Sequence, residues 1–225
     1  MDIYFSSDFH FGHDNIRRYC GRPFSSLEEM DTTLIRNINQ RVKTDDMMFF
    51  LGDFCFSRST EASDAPVKAF DYYRNQLLCK NIIFTKGNHD KNNSVKSPIQ
   101  SLTLEYGGQR IFLTHDPMYA KPEYNINFCG HVHEKWQIRT FRQQYESVER
   151  AYMFTNSTTF MAPTDPHQLA ILEKQKRNNE KFLSTHYQWR FSNSIIINVG
   201  VDQWRFMPMQ FNELNSVICK YRKGI

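Results

Sequence analysis

Short apolar runs alternate with polar stretches along most of this chain, and six of them have the length of buried strands: residues 2–7, 47–51, 81–85, 110–114, 125–129 and 194–199. They are rich in Ile, Phe and Val, which suit a pleated, buried backbone. Between the first two lies a helical pattern. Ser26 and Glu29 predict a capping box, and Leu27, Met30, Leu34, Ile38 and Val42 recur at three- and four-residue spacing. A second helix is predicted from Pro66, a favoured first-turn residue, with Val67, Phe70 and Leu77 facing inward. "YGGQR" at 106–110 predicts a hairpin turn between two strands. This alternation predicts an α/β fold with largely parallel strands and antiparallel pairing at the hairpin.

Residues 134–193 break the cadence. Trp136, Phe141, Tyr145, Tyr152, Phe154, Phe160, Tyr187 and Trp189 are scattered there among polar residues, and a helix is plausible only around 166–183. The stretch reads as an insertion decorating a single domain that spans 1–225. Its aromatics suit a small core or a base-stacking platform.

Composition narrows the class. With 225 residues, 40% hydrophobic and 23% charged, the chain has the make-up of a soluble globular protein with a sizeable core. No apolar run approaches the ~18 residues of a membrane span, and no signal pattern opens the chain, so no membrane partner and a cytoplasmic location are expected. The five cysteines are odd in number, scattered and without a Cys-x-x-Cys pair. They read as reduced, mostly buried thiols. A net charge of +4 tolerates an anionic substrate without diagnosing nucleic-acid binding.

The strand ends carry the chemistry. Run 2–7 leads into Asp8, His10 and His13, run 47–51 into Gly52-Asp53, and run 81–85 into "KGNHD" with Asn88, His89 and Asp90. Run 110–114 leads into His115, and run 125–129 into "GHVH" with His131 and His133. In α/β sheets ligands collect beyond the carboxyl ends of the strands, so five loops are expected to face one crevice. Glycines between strand and ligand allow sharp turns and close approach. Carboxylates, imidazoles and an amide oxygen form a mixed N/O donor set suited to Mn²⁺, Fe, Zn²⁺ and similar ions. Seven donors exceed one tetrahedral ion and suit two ions sharing a carboxylate, the arrangement used for in-line displacement at phosphorus.

The motifs "DFH", "GD", "GNHD", "TH" and "GHVH", in that order, resemble the calcineurin-like metallophosphoesterases. The likeness covers roughly 1–133 and resumes at "INVGVDQWRFMP" (197–208), which is similar to the closing strand of a bacterial and phage subgroup. That subgroup also carries motifs like those at 11–16 and 19–24. The resemblance implies a two-sheet, mixed β sandwich flanked by helices. It implies one metal on Asp8, His10 and His133, a second on Asn88, His115 and His131, and Asp53 bridging both. His89 matches the histidine that stabilises the transition state or protonates the leaving oxygen. The implied reaction is hydrolysis of a phosphate ester, a diester in the first place, by a metal-bridging hydroxide. Mn²⁺ is the first choice of ion, with Fe, Zn²⁺, Ni²⁺ or Mg²⁺ as alternatives.

The substrate expected is a small-molecule or nucleotide phosphate ester. A phosphomonoesterase, a nucleic-acid-processing nuclease and a non-catalytic protein-binding scaffold are the alternatives. "GDFCFSR" lacks the Asp-Arg-Gly that accompanies Gly-Asp in protein phosphatases and dinucleoside polyphosphate hydrolases of the family. His13 reads either as a substrate-pocket residue or as a partner of a backbone carbonyl. Arg17 and Arg22 read as phosphate grips or as solvated surface, and Asp90 as a helix cap or a support for a ligand histidine. His167 and His186 read as structural or exposed. Oligomeric state leaves no sequence signal.

Overall fold

Side chains of the first strand, β1 (Ile3–Ser6), divide between two cores because successive residues of a strand point to opposite faces. Ile3 and Phe5 enter one apolar cluster, while Tyr4 enters another. The computed structural model describes residues 1–56, 69–90, 95, 97–157 and 160–224. After β1 come α1 (Asp14–Tyr19), α2 (Leu27–Arg41), β2 (Met47–Phe50), α3 (Ala69–Arg74), β3 (Asn81–Phe84), β4 (Ser101–Tyr106) and β5 (Gln109–Thr114). The chain continues through β6 (Ile126–Cys129), β7 (Ile138–Thr140), α4 (Phe141–Asn156), α5 (Pro166–Thr185), β8 (Ile195–Asn198), β9 (Met209–Gln210) and α6 (Phe211–Lys223).

The strands form two mixed sheets, ordered β3-β2-β1-β9 and β4-β5-β6-β8-β7. Pairings β1–β2, β2–β3, β5–β6 and β6–β8 are parallel, while β9, β4 and β7 add antiparallel edges. Between the sheets lie Phe5, Phe49, Leu51, Ile111, Leu113, Phe128 and Ile197, joined by Phe211, Leu214 and Ile218 of α6. On the outer face of the four-stranded sheet, Met48 and Phe50 meet Met30, Leu34 and Ile38 of α2. On the outer face of the five-stranded sheet, Cys129 and Ile196 meet Phe141, Tyr145, Phe182 and Trp189. The result is a two-sheet α/β sandwich flanked by helices.

Local chemistry sets the helix ends. Ser26 caps α2 by accepting from the Glu29 amide (3.0 Å), but Glu29 turns to the amide of Ser25 (2.7 Å), one residue earlier than a capping box requires. The start predicted at Pro66 and Val67 lies outside the described residues, and Leu77 packs inward beyond the end of α3. The sequence pattern did not reveal α4 or α6. Thr140 and Gln143 close a true capping box at α4, with each side chain accepting from the other's amide (3.1 and 2.8 Å). Within residues 134–193, β7 pairs antiparallel with β8 and so joins the main sheet. The buried aromatics of that stretch form a core, and none of the described helices is long and apolar enough to cross a membrane.

Candidate metal centre

Six strand ends, one more than the pattern suggested, deliver side chains to one crevice. Asp8 and His10 follow β1, Asp53 follows β2, Asn88 and His89 follow β3, His115 follows β5, and His131 and His133 follow β6. The sixth contribution is Asp202, after β8. Ligand atoms of Asp8, His10 and His133 lie within 4.8 Å of one another, as do those of Asp8, Asp53 and His115. Asp53 Oδ2 sits between the groups, 3.5 Å from His10 Nε2 and 3.4 Å from His115 Nε2. Asn88 Oδ1 lies 2.9 Å from His115 Nε2 and 2.8 Å from His131 Nδ1, so both join the second group.

The backbone bends unusually to achieve this. Asp8, His10, Asp53, His131 and His133 all have positive φ, between +46° and +71°. This left-handed conformation costs roughly 1–2 kcal/mol for a residue with a β-carbon and collects at functional sites. Glycines supply the remaining room. A β-carbon at Gly87 would collide with the Asp53 carboxylate, and one at Gly130 with the Ser7 hydroxyl and Asp8 carboxylate. At Gly52 (φ +92°) it would lie 2.6 Å from the Gly87 backbone and 2.7 Å from His115 Nδ1.

Hydrogen bonds orient the donors. His115 Nδ1 lies 2.7 Å from the Leu51 carbonyl, which can only accept, so Nδ1 carries the proton and Nε2 faces the centre. His133 Nδ1 is held likewise by Asp202 (2.9 Å). Asp202 in turn receives Nε (2.7 Å) and Nη2 (3.0 Å) of Arg22. The Asp8 carboxylate accepts the His131 amide (2.9 Å) and the Ser7 hydroxyl, and Asp53 Oδ1 accepts the His89 amide (2.9 Å).

Electrostatics follow from this packing. Burial opposes ionisation of Asp53, but its bond to His115 and the charges of His115 and His10 outweigh that and hold its carboxyl well below the usual range. Burial acts against the charged form of His115 too, yet Asp53, Asp8 and the Leu51 carbonyl push it up to about 9. His133 is pushed up to about 11, because Asp202 and Cys20 overcome burial. Burial dominates at His10 and His131, and both are lowered.

This geometry fits two divalent ions. His10 Nε2 is buried without a hydrogen-bond partner among the described residues and is aimed at Asp53 and Asp8. A polar atom orphaned this way normally costs about 1–3 kcal/mol, so a ligand role explains its place. At His115 the proton on Nε2 lies among Asn88 and Asp53 oxygens, and a cation held by the same atoms would replace it.

Residues expected at the substrate fare differently. His13 stacks on Phe56 (4.4 Å between centroids) beside His10 (5.5 Å) and His89 (6.4 Å), with Nδ1 unpartnered. It lines the crevice, and its ring binds no backbone carbonyl among the described residues. Arg22, expected as a phosphate grip, has its donors engaged inside the protein. It is buried, with its fork on Asp202 and its other donors on the Asp8 (2.6 Å) and Phe9 (2.9 Å) carbonyls and Met30 Sδ. Arg17 is turned onto Asp14 and the Phe24 carbonyl (2.9 Å), which closes off its fork as well. Asp90 holds no histidine among the described residues, and the stretch it would open as a helix cap, 91–94, lies outside them. Asp90 accepts the amides of Gly87 (2.7 Å), Asp53 (3.0 Å) and Phe54 (3.3 Å), tying two ligand loops together.

Sequence reasoning missed Asp202 and Cys20, whose ligand atoms group with His133. The signal for Asp202 was "INVGVD", which repeats the strand–glycine–carboxylate cadence of "FFLGD". Cys20 left none, and burial pushes its thiol up.

Comparison with known proteins gives consistent results. A family model described as calcineurin-like phosphoesterase matches residues 1–195. An uncharacterized protein of Methanocaldococcus jannaschii, MJ1445, is 39% identical over 130 residues, which are 58% of this chain and 65% of that protein's length. The Aquifex aeolicus protein AQ665, of unknown function, superposes with a TM-score of 0.56 at 20% identity, over 96% of this chain and 98% of its own, and so shares the fold. YfcE, a phosphoesterase from E. coli, aligns with a TM-score of 0.31 at 18% identity, over 59% of this chain and 70% of its own.

Proposed function

This chain belongs to the calcineurin-like phosphoesterases, and on that premise we propose that it hydrolyses phosphodiesters with two divalent ions, Mn²⁺ foremost. The observation that carries the reading is the Asp53 carboxylate, nearly equidistant from His10 (3.5 Å) and His115 (3.4 Å) at the seam of two donor groups. Asp8, His10 and His133 would hold one ion; Asn88, His115 and His131 the other, with Asp53 shared. When bound, the ions supply positive charge for the phosphoryl oxygens and acidify a water molecule.

The remaining steps fall to the chain's own groups. Asp202 and the Leu51 carbonyl keep His133 and His115 turned with Nε2 inward. The Asp8 and Asp53 carboxylates are pinned by backbone amides and so are preorganised for the charge that develops. His89 stands exposed at the rim, its ring 5.3 Å from that of His10, where it can give a proton to the departing oxygen and regain one from solvent. His13 borders the same opening. Nucleic-acid ends are a special case of this chemistry. The cysteines, scattered along the chain with no two in a Cys-x-x-Cys spacing, support placing the protein in the cytoplasm.

Purified protein loaded with Mn²⁺ should turn over bis-p-nitrophenyl phosphate faster than p-nitrophenyl phosphate, and Asp53→Asn should lose about a thousandfold. A reversed preference would make it a monoesterase. Absence of metal-dependent turnover, with no metal bound by elemental analysis, would leave the scaffold alternative.

A further inference from the structure

A pocket of about 700 Å³ adjoins the Asn88–His115 side of the centre and has no role in the chemistry above. That volume lies within the range of small-molecule sites. Asn88 and His115 form part of its wall, so whatever fills it lies beside two of the residues proposed for the second ion. It occupies the outer face of β4 and β5, which the α4–α5 helices leave uncovered; among its lining residues are Ser101 and Phe112.

Its lining combines three chemistries. Lys86 and Lys121 bring two ammonium groups, and among the described residues neither has an ion-pair partner. Lys121 Nζ instead hovers 4.9 Å above the centre of the Phe112 ring. Asp116 is the lone carboxylate of the lining, and its Oδ1 already accepts the Met118 amide (2.8 Å). Tyr119 offers an aromatic ring that is 71% exposed, on a turn braced from behind where His186 Nε2 meets the Met118 carbonyl (3.2 Å). Gln100 and Ser101 add neutral hydrogen-bonding groups at the edge.

An exposed aromatic face stacks on flat rings of any identity. Two ammonium groups in the same lining suit a phosphate, and amide and hydroxyl groups suit a sugar or a base edge. Resting on the phosphoesterase reading, we propose that this pocket receives the part of the substrate that is not attacked, and that this part is a nucleotide: a base on Tyr119 and a second phosphate on Lys86 and Lys121. The site then distinguishes a nucleotide phosphodiester from a simple alkyl or aryl diester by a charge that sits away from the reacting phosphorus.

Competition kinetics and calorimetry on the full, Mn²⁺-loaded chain test this. Adenosine 3′,5′-bisphosphate should inhibit bis-p-nitrophenyl phosphate turnover at least about tenfold more tightly than inorganic phosphate or adenosine. Lys86→Ala with Lys121→Ala should erase that difference, Tyr119→Ala should reduce it, and Lys86→Arg with Lys121→Arg should restore it. Equal inhibition by the bisphosphate and inorganic phosphate would overturn the proposal, and so would a double alanine variant that melts normally and keeps the preference. Calorimetric binding of the bisphosphate reads the pocket even without turnover, so the pocket and the hydrolytic reading can fail separately.

Discussion

The ligand loops and the α4–α5 region follow opposite rules. Around α4 and α5 nearly every local choice favours the structure formed. Thr140 and Gln143 cap one helix, Asp165 followed by Pro166 opens the other, and Phe141, Tyr145, Phe182 and Trp189 bury against the sheet. At the metal centre local preference is overridden. Five candidate ligand residues adopt left-handed backbone, Asp8 and Asp53 are almost fully buried, and His10 holds a nitrogen with no partner among the described residues. The difference shows where evolution tolerates instability: strain gathers where charge must converge, and well-capped, apolar elements offset it elsewhere.

That contrast can be broken most severely at a glycine. Gly87→Ala should lower turnover about a hundredfold, because its methyl group must displace the Asp53 carboxylate by a distance that matters for catalysis. Kinetics with saturating Mn²⁺ would show it, and near-normal turnover would mean that the loops are looser than their packing indicates.

Asp202→Asn comes next. It leaves His133 with a weaker acceptor and Arg22 with a neutral partner, and should weaken metal binding by about 10–100-fold. Metal titration followed by calorimetry measures this directly; unchanged affinity would make Asp202 merely a structural partner of Arg22.

The pH response sharpens the comparison. In metal-free protein His115 and His133 have folded-state pKa values raised from 6.5, to about 9 and about 11. Their stabilisation is therefore complete below pH 6.5 and is lost as pH rises through those higher values. Bound ions require both histidines neutral, so metal affinity should rise over the same window. The gap in Tm between Mn²⁺-loaded and chelator-treated protein should widen from pH 6.5 to 9, and a gap that narrows would contradict the assignment.

Activity should respond least in the other region. Phe182→Ala removes a buried ring from the third core and should cost about 3–5 kcal/mol of stability in denaturant unfolding. Below the unfolding transition kcat on bis-p-nitrophenyl phosphate should change less than twofold. A large loss of kcat in folded protein would show that the helices act on the centre.

Much of the site was legible because ligand chemistry is written locally. A strand, a glycine and a carboxylate or histidine occur together within a few residues, so Asp8, His10, Asp53, Asn88, His115, His131 and His133 stand out without coordinates. Core strands were legible for the same reason, as was α2, whose cap and apolar stripe are contiguous. β7 and β9 were not, because strands of three and two residues are defined by the neighbour they pair with. α6 was hidden because it starts directly after a strand, at Gln210, with Glu213 closing its first turn in place of a small polar cap (2.9 Å).

The sequence by itself determined which residue types are offered to a cation and that glycines would flank them, since those demands are met within single loops. Only the tertiary structure decided what Arg22 does: a guanidinium suits a phosphate and a buried carboxylate equally well. Which one it meets depends on Asp202, 180 residues away along the chain, and on the two sheets that bring them together.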